Sequence, residues 1–288
     1  MRLVSVLIGF LGALVASVNA FAAQPTPWQI WHQESGSQAM ADINWFDLYT
    51  LWFIVPITIF VMILLAIVIF KFNSKANPTP SNTTHHVGLE VAWTVIPIVL
   101  LVFIAIPSFD LLNDQLAPEE QPEITIKATG YQWYWGYEYQ DGSEISFDSL
   151  MLRGDDFADA GKSDKSKYPR LLAVDNEMVV PVDTMVRVTV TAADVIHDFA
   201  MPAFGLKIDA IPGRLNETWF KAEREGLYYG QCSELCGRDH AYMPIAIRVV
   251  SDAQYAAWKA GANDDLDAAN AALMAEIELK ETVKVASK

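Results

Sequence analysis

Cysteine is nearly absent: 288 residues hold two. Two thiols exclude a disulfide-rich scaffold and a four-thiolate cluster. Basic residues are also scarce, 20 Lys and Arg against 35 Asp and Glu, for a formal net charge of -15. A chain without a basic footprint is not built for nucleic acid. The acid excess favours a basic protein partner instead. No Cys-x-x-Cys-His occurs, which excludes a fused c-type haem domain, and no segment repeats at a fixed period. Yet 52% of the residues are hydrophobic and 11% aromatic. That is too apolar for a disordered acidic chain or a uniformly soluble one. The apolar and acidic residues must be segregated along the sequence.

The apolar excess has three addresses. Residues 1–22 carry one Arg, an uncharged run from Leu3 to Val18, and small residues at Ala20 and Ala22, the pattern of a cleaved secretory signal. No Cys follows it, so no lipid anchor of the bacterial lipoprotein kind is expected. An external segment, 23–47, leads to Leu48–Phe70, 23 residues without a charge. At ~1.5 Å per residue this run crosses a hydrocarbon core of ~30 Å. Val91–Phe109 is a second uncharged stretch of 19, and the second membrane helix is placed at 91–112. The connector, 71–90, carries Lys71 and Lys75 and no acid before Glu90. The positive-inside rule makes it cytoplasmic, so the pair forms a transmembrane hairpin with the rest of the chain outside.

The acid lies in that outer part. Residues 118–288 hold 17 Lys and Arg and 29 Asp and Glu, a net -12. From 118 to 251 the chain reads as short strands with period-two alternation and β-branched residues, for example Met185–Val190 and Ile245–Val250, separated by Gly, Pro, Asp and Asn. This is the pattern of an all-β Greek-key barrel or sandwich. Residues 252–288 are Ala-rich and then alternate in charge, which predicts a helical tail on the surface. The stretch 152–170 reads as a variable loop.

Four metal-capable side chains crowd the segment Cys232-Ser-Glu234-Leu-Cys236-Gly-Arg-Asp-His240-Ala-Tyr-Met243-Pro. A Cys232–Cys236 disulfide is one reading, given an oxidising compartment. Zinc is another, although Cys-x3-Cys beside a Met is not its usual structural spacing. Thiolates, imidazole and thioether together select copper. The outer part has only one further histidine, His197, directly after a strand. Its whole Cys and His inventory is thus two and two, all able to ligate. Two thiolates can bridge two coppers, with one His on each.

These motifs resemble subunit 2 of cytochrome c oxidase of the bacterial and mitochondrial type. The residues that carry the likeness are Tyr131-Gln-Trp133-Tyr-Trp135-Gly-Tyr-Glu-Tyr139, Asp194-Val-Ile-His197, Gly205-Leu-Lys-Ile-Asp209-Ala-Ile-Pro-Gly-Arg214-Leu-Asn216 and Tyr228-Tyr-Gly-Gln-Cys232 through Met243-Pro. The likeness covers roughly residues 45–250. It implies a cupredoxin domain carrying the binuclear CuA centre. Cys232 and Cys236 would bridge the coppers, His197 and His240 would bind one each, and Met243 and the Glu234 carbonyl would be weak ligands. The Glu234 side chain would bind a magnesium ion shared with subunit 1.

The resemblance also implies Trp133 as the point where electrons arrive from cytochrome c. Glu138, Asp141, Glu144, Asp148 and Asp194 would form the docking face for that basic partner. Glu90 would mark the mouth of a proton path into subunit 1, although a carboxylate at a helix N-terminus is favoured by the dipole anyway. The setting implied is the bacterial inner membrane, with the copper domain periplasmic. A copper-free quinol oxidase subunit is the main alternative, and the retained Cys and His argue against it. A nitrous-oxide-reductase type would need far more than five His. A copper carrier would have no use for Trp133, Glu234 and Glu90 together.

Overall fold

The computed structural model describes residues 24–117 and 120–286; the expected signal, 1–22, lies outside them. The chain divides into two compact units, residues 38–121 and residues 1–37 with 122–288.

The first unit is two long helices, α1 (Gln38–Lys71) and α2 (Val87–Leu116). Both are long and apolar enough to cross a membrane. They extend beyond the uncharged runs, because backbone hydrogen bonding continues through Asp42, Asp47 and Asp114 at their ends. Pro56, Pro97 and Pro107 lie inside them. A proline removes the N–H that would bond the carbonyl four residues back. For Pro107 that carbonyl belongs to Phe103, and the Tyr49 hydroxyl of α1 donates to it at 3.0 Å. The neighbouring helix thereby satisfies the freed acceptor, as an apolar surrounding requires.

The second unit is a two-sheet sandwich. One sheet takes the order β3-β2-β1-β5-β8 and the other β4-β10-β9-β6-β7. The strands are β1 (Ile124–Tyr131), β2 (Tyr134–Tyr139), β3 (Ser146–Ser149), β4 (Met178–Pro181), β5 (Met185–Ala192), β6 (His197–Met201), β7 (Leu206–Ala210), β8 (Asn216–Lys221), β9 (Gly226–Cys232) and β10 (Pro244–Val250). β1 runs parallel to β5 and β4 parallel to β10, while the other pairs are antiparallel. This is the Greek-key, cupredoxin-type β-sandwich that the sequence predicts. Alternation places Ile126 and Ala128 of β1, Trp135 and Tyr137 of β2 and Val186, Val188 and Val190 of β5 in the core. β10 is buried on both faces, hence its near-continuous apolar run.

Segment 152–170 is more than a loop. It contains the short helix α3 (Asp156–Asp159) and supplies Leu152, Phe157 and Tyr168 to a second core with Leu227, Tyr229 and Ala246. The tail folds as α4 (Asp252–Ala262) and α5 (Leu266–Ala286). It buries Tyr255, Trp258, Ala262, Ala269 and Leu273 in the main core, so it belongs to the domain rather than decorating it. The segment before α1 is also tied in. Gly36 N–H donates to Ala203 O at 2.7 Å, and Glu223 N–H donates to Gly36 O at 2.9 Å. A Cβ at Gly36 would lie 2.6 Å from the Tyr228 ring, so only glycine passes there.

Candidate metal centre

Strand register assembles the site. β6 begins at His197 and β9 ends at Cys232, with Phe199 opposite Cys232 in the antiparallel pair. The loop from Ser233 to Met243 then returns to β10 carrying Cys236, His240 and Met243. Two adjacent strand ends and one loop thus deliver all the sequence-predicted ligands to one place.

The two thiols are free and buried, with Sγ atoms 3.8 Å apart. That is far beyond the ~2.05 Å of a disulfide, so the disulfide reading does not describe this geometry. The remaining donors divide between the sulfurs. His197 Nδ1 lies 3.9 Å from Cys232 Sγ, and the Glu234 carbonyl lies 3.3 Å from the same sulfur. His240 Nδ1 and Met243 Sδ each lie 3.5 Å from Cys236 Sγ. The result is two half-sites sharing two sulfurs, one completed by imidazole and carbonyl, the other by imidazole and thioether.

Burial disfavours ionisation of Cys232, but hydrogen bonds with His197 and with the Asp198 and Glu234 backbone hold its thiol below the usual range. Cys236 is pushed up to about 12 by burial and by the charge on Cys232. One of the pair therefore carries the first negative charge and the other resists the second. Such a pair fits a cation that neutralises both thiolates. Two thiolates, two imidazoles and a thioether are soft donors, and the set fits copper better than zinc or magnesium.

His197 is completely buried, and its orientation is fixed from three sides. Its Nε2 bonds Asp194 Oδ1 at 2.8 Å. Trp135 packs edge-on at 6.1 Å. A Cβ at Gly130 would stand 2.8 Å from the ring. A ring proton held on Nε2 by Asp194 would leave Nδ1, the nitrogen on the sulfur side, as the one able to ligate a metal. Despite the cost of burial, Cys232 and Asp194 hold the imidazole above its ordinary value.

Trp133 is half-buried, and its indole N–H donates to the Cys236 carbonyl at 3.3 Å. The Gln132 side chain donates to the same carbonyl at 2.7 Å. Arg238 lies over the indole at 5.4 Å. Trp135, quoted in the aromatic motif, donates from Nε1 to Met243 O at 3.3 Å and so braces the thioether residue.

The predicted docking carboxylates separate along the β2–β3 hairpin. Asp148 pairs with Gly136 beside Tyr131 and Tyr134, at the Trp133 end, and Asp194 lies there too. Glu138 pairs with Lys127 at 2.9 Å partway along. Asp141, beyond the end of β2, binds Lys259 of α4 at 2.5 Å, and the Glu144 N–H bonds Asn263. Four residues of strand at ~3.3 Å each already put Tyr139, two residues before Asp141, about 13 Å from Trp135. The structure brings Asp148 and Asp194 to Trp133 and leaves Asp141 and Glu144 at the far end. Sequence reading missed Asp156 and Asp159, which line a cleft of about 500 Å³ with Trp133, Leu150, Arg153 and Tyr242. Their signal was a run of acids inside a stretch that resembled nothing.

The Glu234 side chain is exposed. Near it Asp198, also missed, is buried with one oxygen unpartnered. Burial pushes the Asp198 carboxyl up to about 6, Lys207 opposing and Asp209 and Glu234 adding to the rise. In the other unit, Glu90 Oε1 accepts from His86 N–H at 3.1 Å, and the His86 ring caps α2 by accepting from Leu89 N–H at 3.2 Å. Glu90 therefore has a structural task at the helix start.

Comparison with known proteins agrees on one family. The family described as cytochrome C oxidase subunit II, periplasmic domain, matches residues 124–250, and its transmembrane domain matches residues 25–111. The chain is 45% identical over 258 residues to the probable cytochrome c oxidase subunit 2 of Rickettsia conorii, covering 89% of this chain and 79% of that one. It is 47% identical over 272 residues to cytochrome c oxidase subunit 2 of Cereibacter sphaeroides, covering 87% and 88%. Among solved structures, the periplasmic domain of subunit II of cytochrome oxidase of Bradyrhizobium japonicum is 60% identical, covering 51% of this chain and 98% of that one, with a TM-score of 0.46.

Proposed function

The chain belongs to the cytochrome c oxidase subunit II family, and from that premise we propose that it receives electrons from a soluble cytochrome at a paired copper centre held by its own outer domain. The observation that carries this reading is the shared pair of buried sulfurs 3.8 Å apart, each with its own imidazole. Cys232 and Cys236 would hold both metals between them, with His197 and the Glu234 carbonyl on one side and His240 and Met243 on the other. Such a centre, when bound, supplies a one-electron carrier whose unpaired electron is shared. The copper-free quinol oxidase alternative has no use for this donor set.

The chain's own residues keep that carrier's surroundings fixed. Asp194, Gly130 and Trp135 hold the His197 ring, and Trp135 also anchors Met243, so little reorganisation accompanies a change of charge. Trp133 offers an indole half open to solvent and hydrogen-bonded to the ligand loop through Cys236 O. This supports Trp133 as the residue facing the donor. Asp148, Asp194, Asp156 and Asp159 around it would attract a lysine-rich surface by long-range steering.

The Glu234 side chain would contribute to a magnesium ion shared with subunit 1, a hard cation suited to carboxylate. α1 and α2 would cross the bacterial inner membrane as a hairpin with Lys71 and Lys75 inside, which leaves the copper domain periplasmic. Glu90 would then stand at the cytoplasmic mouth of a proton path.

Copper titration of the purified full-length chain tests the central reading. Two coppers per chain with a mixed-valence spin-resonance signal are expected. A single-copper blue spectrum, or a Cys232–Cys236 disulfide that takes no copper, overturns it.

A further inference from the structure

We propose that Gln132 is a positioning residue: it clasps the two ligand-bearing loops together and aims the Cys236 peptide. The inference deepens the copper-site reading above. Its backbone N–H donates to Asp194 Oδ2 at 2.7 Å. The other oxygen of the same carboxylate holds His197 Nε2 at 2.8 Å. The side-chain amide reaches the opposite way and donates to Cys236 O at 2.7 Å. One residue therefore connects His197, at the start of β6, to Cys236, in the loop after β9, through hydrogen bonds alone.

The surroundings are built to this contact. Gly237, directly after Cys236, has φ +124°, a conformation that favours glycine. A Cβ there would meet Gln132 Nε2 and the Trp133 ring, each at 3.1 Å. The loop thus approaches the Gln132–Trp133 pair as closely as a bare backbone allows. A carbonyl has two lone pairs. Those of Cys236 receive the Gln132 amide at 2.7 Å and the Trp133 indole at 3.3 Å. The shorter bond fixes the carbonyl direction, and the longer indole contact depends on that direction. Gln132 accordingly sets both the orientation of a sulfur ligand and the quality of the indole contact, without touching a metal position itself.

The test compares wild type with Gln132→Leu and Gln132→Met, which fill similar volume without an amide, in the assembled oxidase. Hydrogen exchange of the peptide spanning 233–243 is measured by mass spectrometry. Losing one well-formed bond to a carbonyl is expected to speed local opening roughly fivefold to tenfold. Copper stoichiometry is expected to stay constant while the spin-resonance splitting shifts, a change that a merely space-filling residue does not produce. Electron input from reduced cytochrome is expected to fall about tenfold with its salt dependence unaltered. Wild-type exchange together with an unshifted splitting in either variant that assembles overturns the clasp. Trp133→Phe is run alongside: normal electron input in that variant overturns the Trp133 reading, and the exchange data still decide the role of Gln132.

Discussion

Asp194 Oδ1 lies 2.8 Å from His197 Nε2, three residues away, so the residue assigned from sequence to a docking face is also the one that orients a buried imidazole. Burial works against the Asp194 charge, but His197 and the Val195 and Gln132 N–H groups hold its carboxyl below the usual range. The carboxylate keeps the ring proton on Nε2 and leaves Nδ1 free to ligate. Asp194→Asn presents an amide that can equally donate to Nε2 and favour the wrong tautomer. Losses of such outer-shell partners typically cost about 10–100-fold in metal affinity. Copper competition with a chelator checks this. Unchanged affinity with weakened cytochrome association would return Asp194 to a purely docking role.

The strand register divides the carboxylates by distance, and charge reversal reads that division. Asp148→Lys is expected to weaken cytochrome association and flatten its salt dependence, because it sits at the Trp133 end. Asp141→Asn is expected to leave association unchanged and to lower stability, because it breaks the pair with Lys259. Association rates across a salt series, beside thermal melts, separate the two. Equal effects on association would mean that the docking face extends along the whole hairpin.

Glu177 illustrates where charge is structural. It is buried between Lys162 Nζ at 2.9 Å and Arg248 Nε at 2.5 Å. Burial opposes its ionisation, yet Arg248 and Lys162 hold its carboxyl at about 2. A depressed carboxylate stabilises the fold above the ordinary carboxylate range, and that stability is lost as pH falls from there toward 2. Glu177→Gln leaves two buried cations short of a partner and is expected to cost about 3–5 kcal/mol at neutral pH. It should also remove the part of the acid unfolding transition that Glu177 carries. Chemical denaturation at pH 7 and pH 4 measures both.

Backbone proximity sets a different limit at the strand that ends in Cys232. A Cβ on Gly230 would stand 2.0 Å from the Ala200 carbonyl oxygen, and backbone cannot rotate away as a side chain can. Gly230→Ala must part β6 from β9, the two strands that present His197 and Cys232. Overpacking of this kind costs about 1–3 kcal/mol or more. Copper affinity is expected to fall along with stability, since both depend on that strand pair. Full copper binding in the variant would show that the ligand loops do not rely on the spacing.

Most of the site was legible because its chemistry is rare. Residues 118–288 hold only two thiols and two imidazoles, so Cys232, Cys236, His197 and His240 could be named without any geometry. Period-two alternation likewise exposed the strands, since each buries one face. What stayed hidden was contact between polar residues distant in sequence. Nothing local in Gln132 announces a bond to Cys236, and nothing in Asp194 separates attracting a partner from holding a ring. Segment 152–170 reads as a loop because its apolar residues are spaced irregularly, yet Leu152, Phe157 and Tyr168 meet Leu227 and Tyr229 in a second core. Glu90 showed the converse: a motif carried a functional expectation while a bond to His86 N–H supplied a plain structural one.

The tail yields the last prediction. Alanine-rich sequence of alternating charge predicts a helical tail on the surface, and the helices form, but the pattern alone gives no sign of how firmly they are held. A capping box starts α4 firmly, with Ser251 accepting from Gln254 N–H and the Gln254 side chain returning to Ser251 N–H. That start aims Trp258 inward, where it is 2% exposed and packs on Tyr139 at 5.4 Å between ring centroids. Its indole N–H is satisfied by Asn270 Oδ1 of α5 at 2.8 Å, so α5 completes what α4 buries. Trp258→Ala is expected to cost about 3–5 kcal/mol, as for other buried aromatics cut to alanine. Truncation after Ser251 should destabilise more, because Tyr255, Ala269 and Leu273 leave the core with it. The candidate copper ligands lie on strand ends and a loop outside these helices, so the spectrum of the copper-loaded protein at low temperature is expected to survive both changes while melting temperatures fall. A truncated chain that melts like the full-length one would show that the helices cover the sandwich without supporting it.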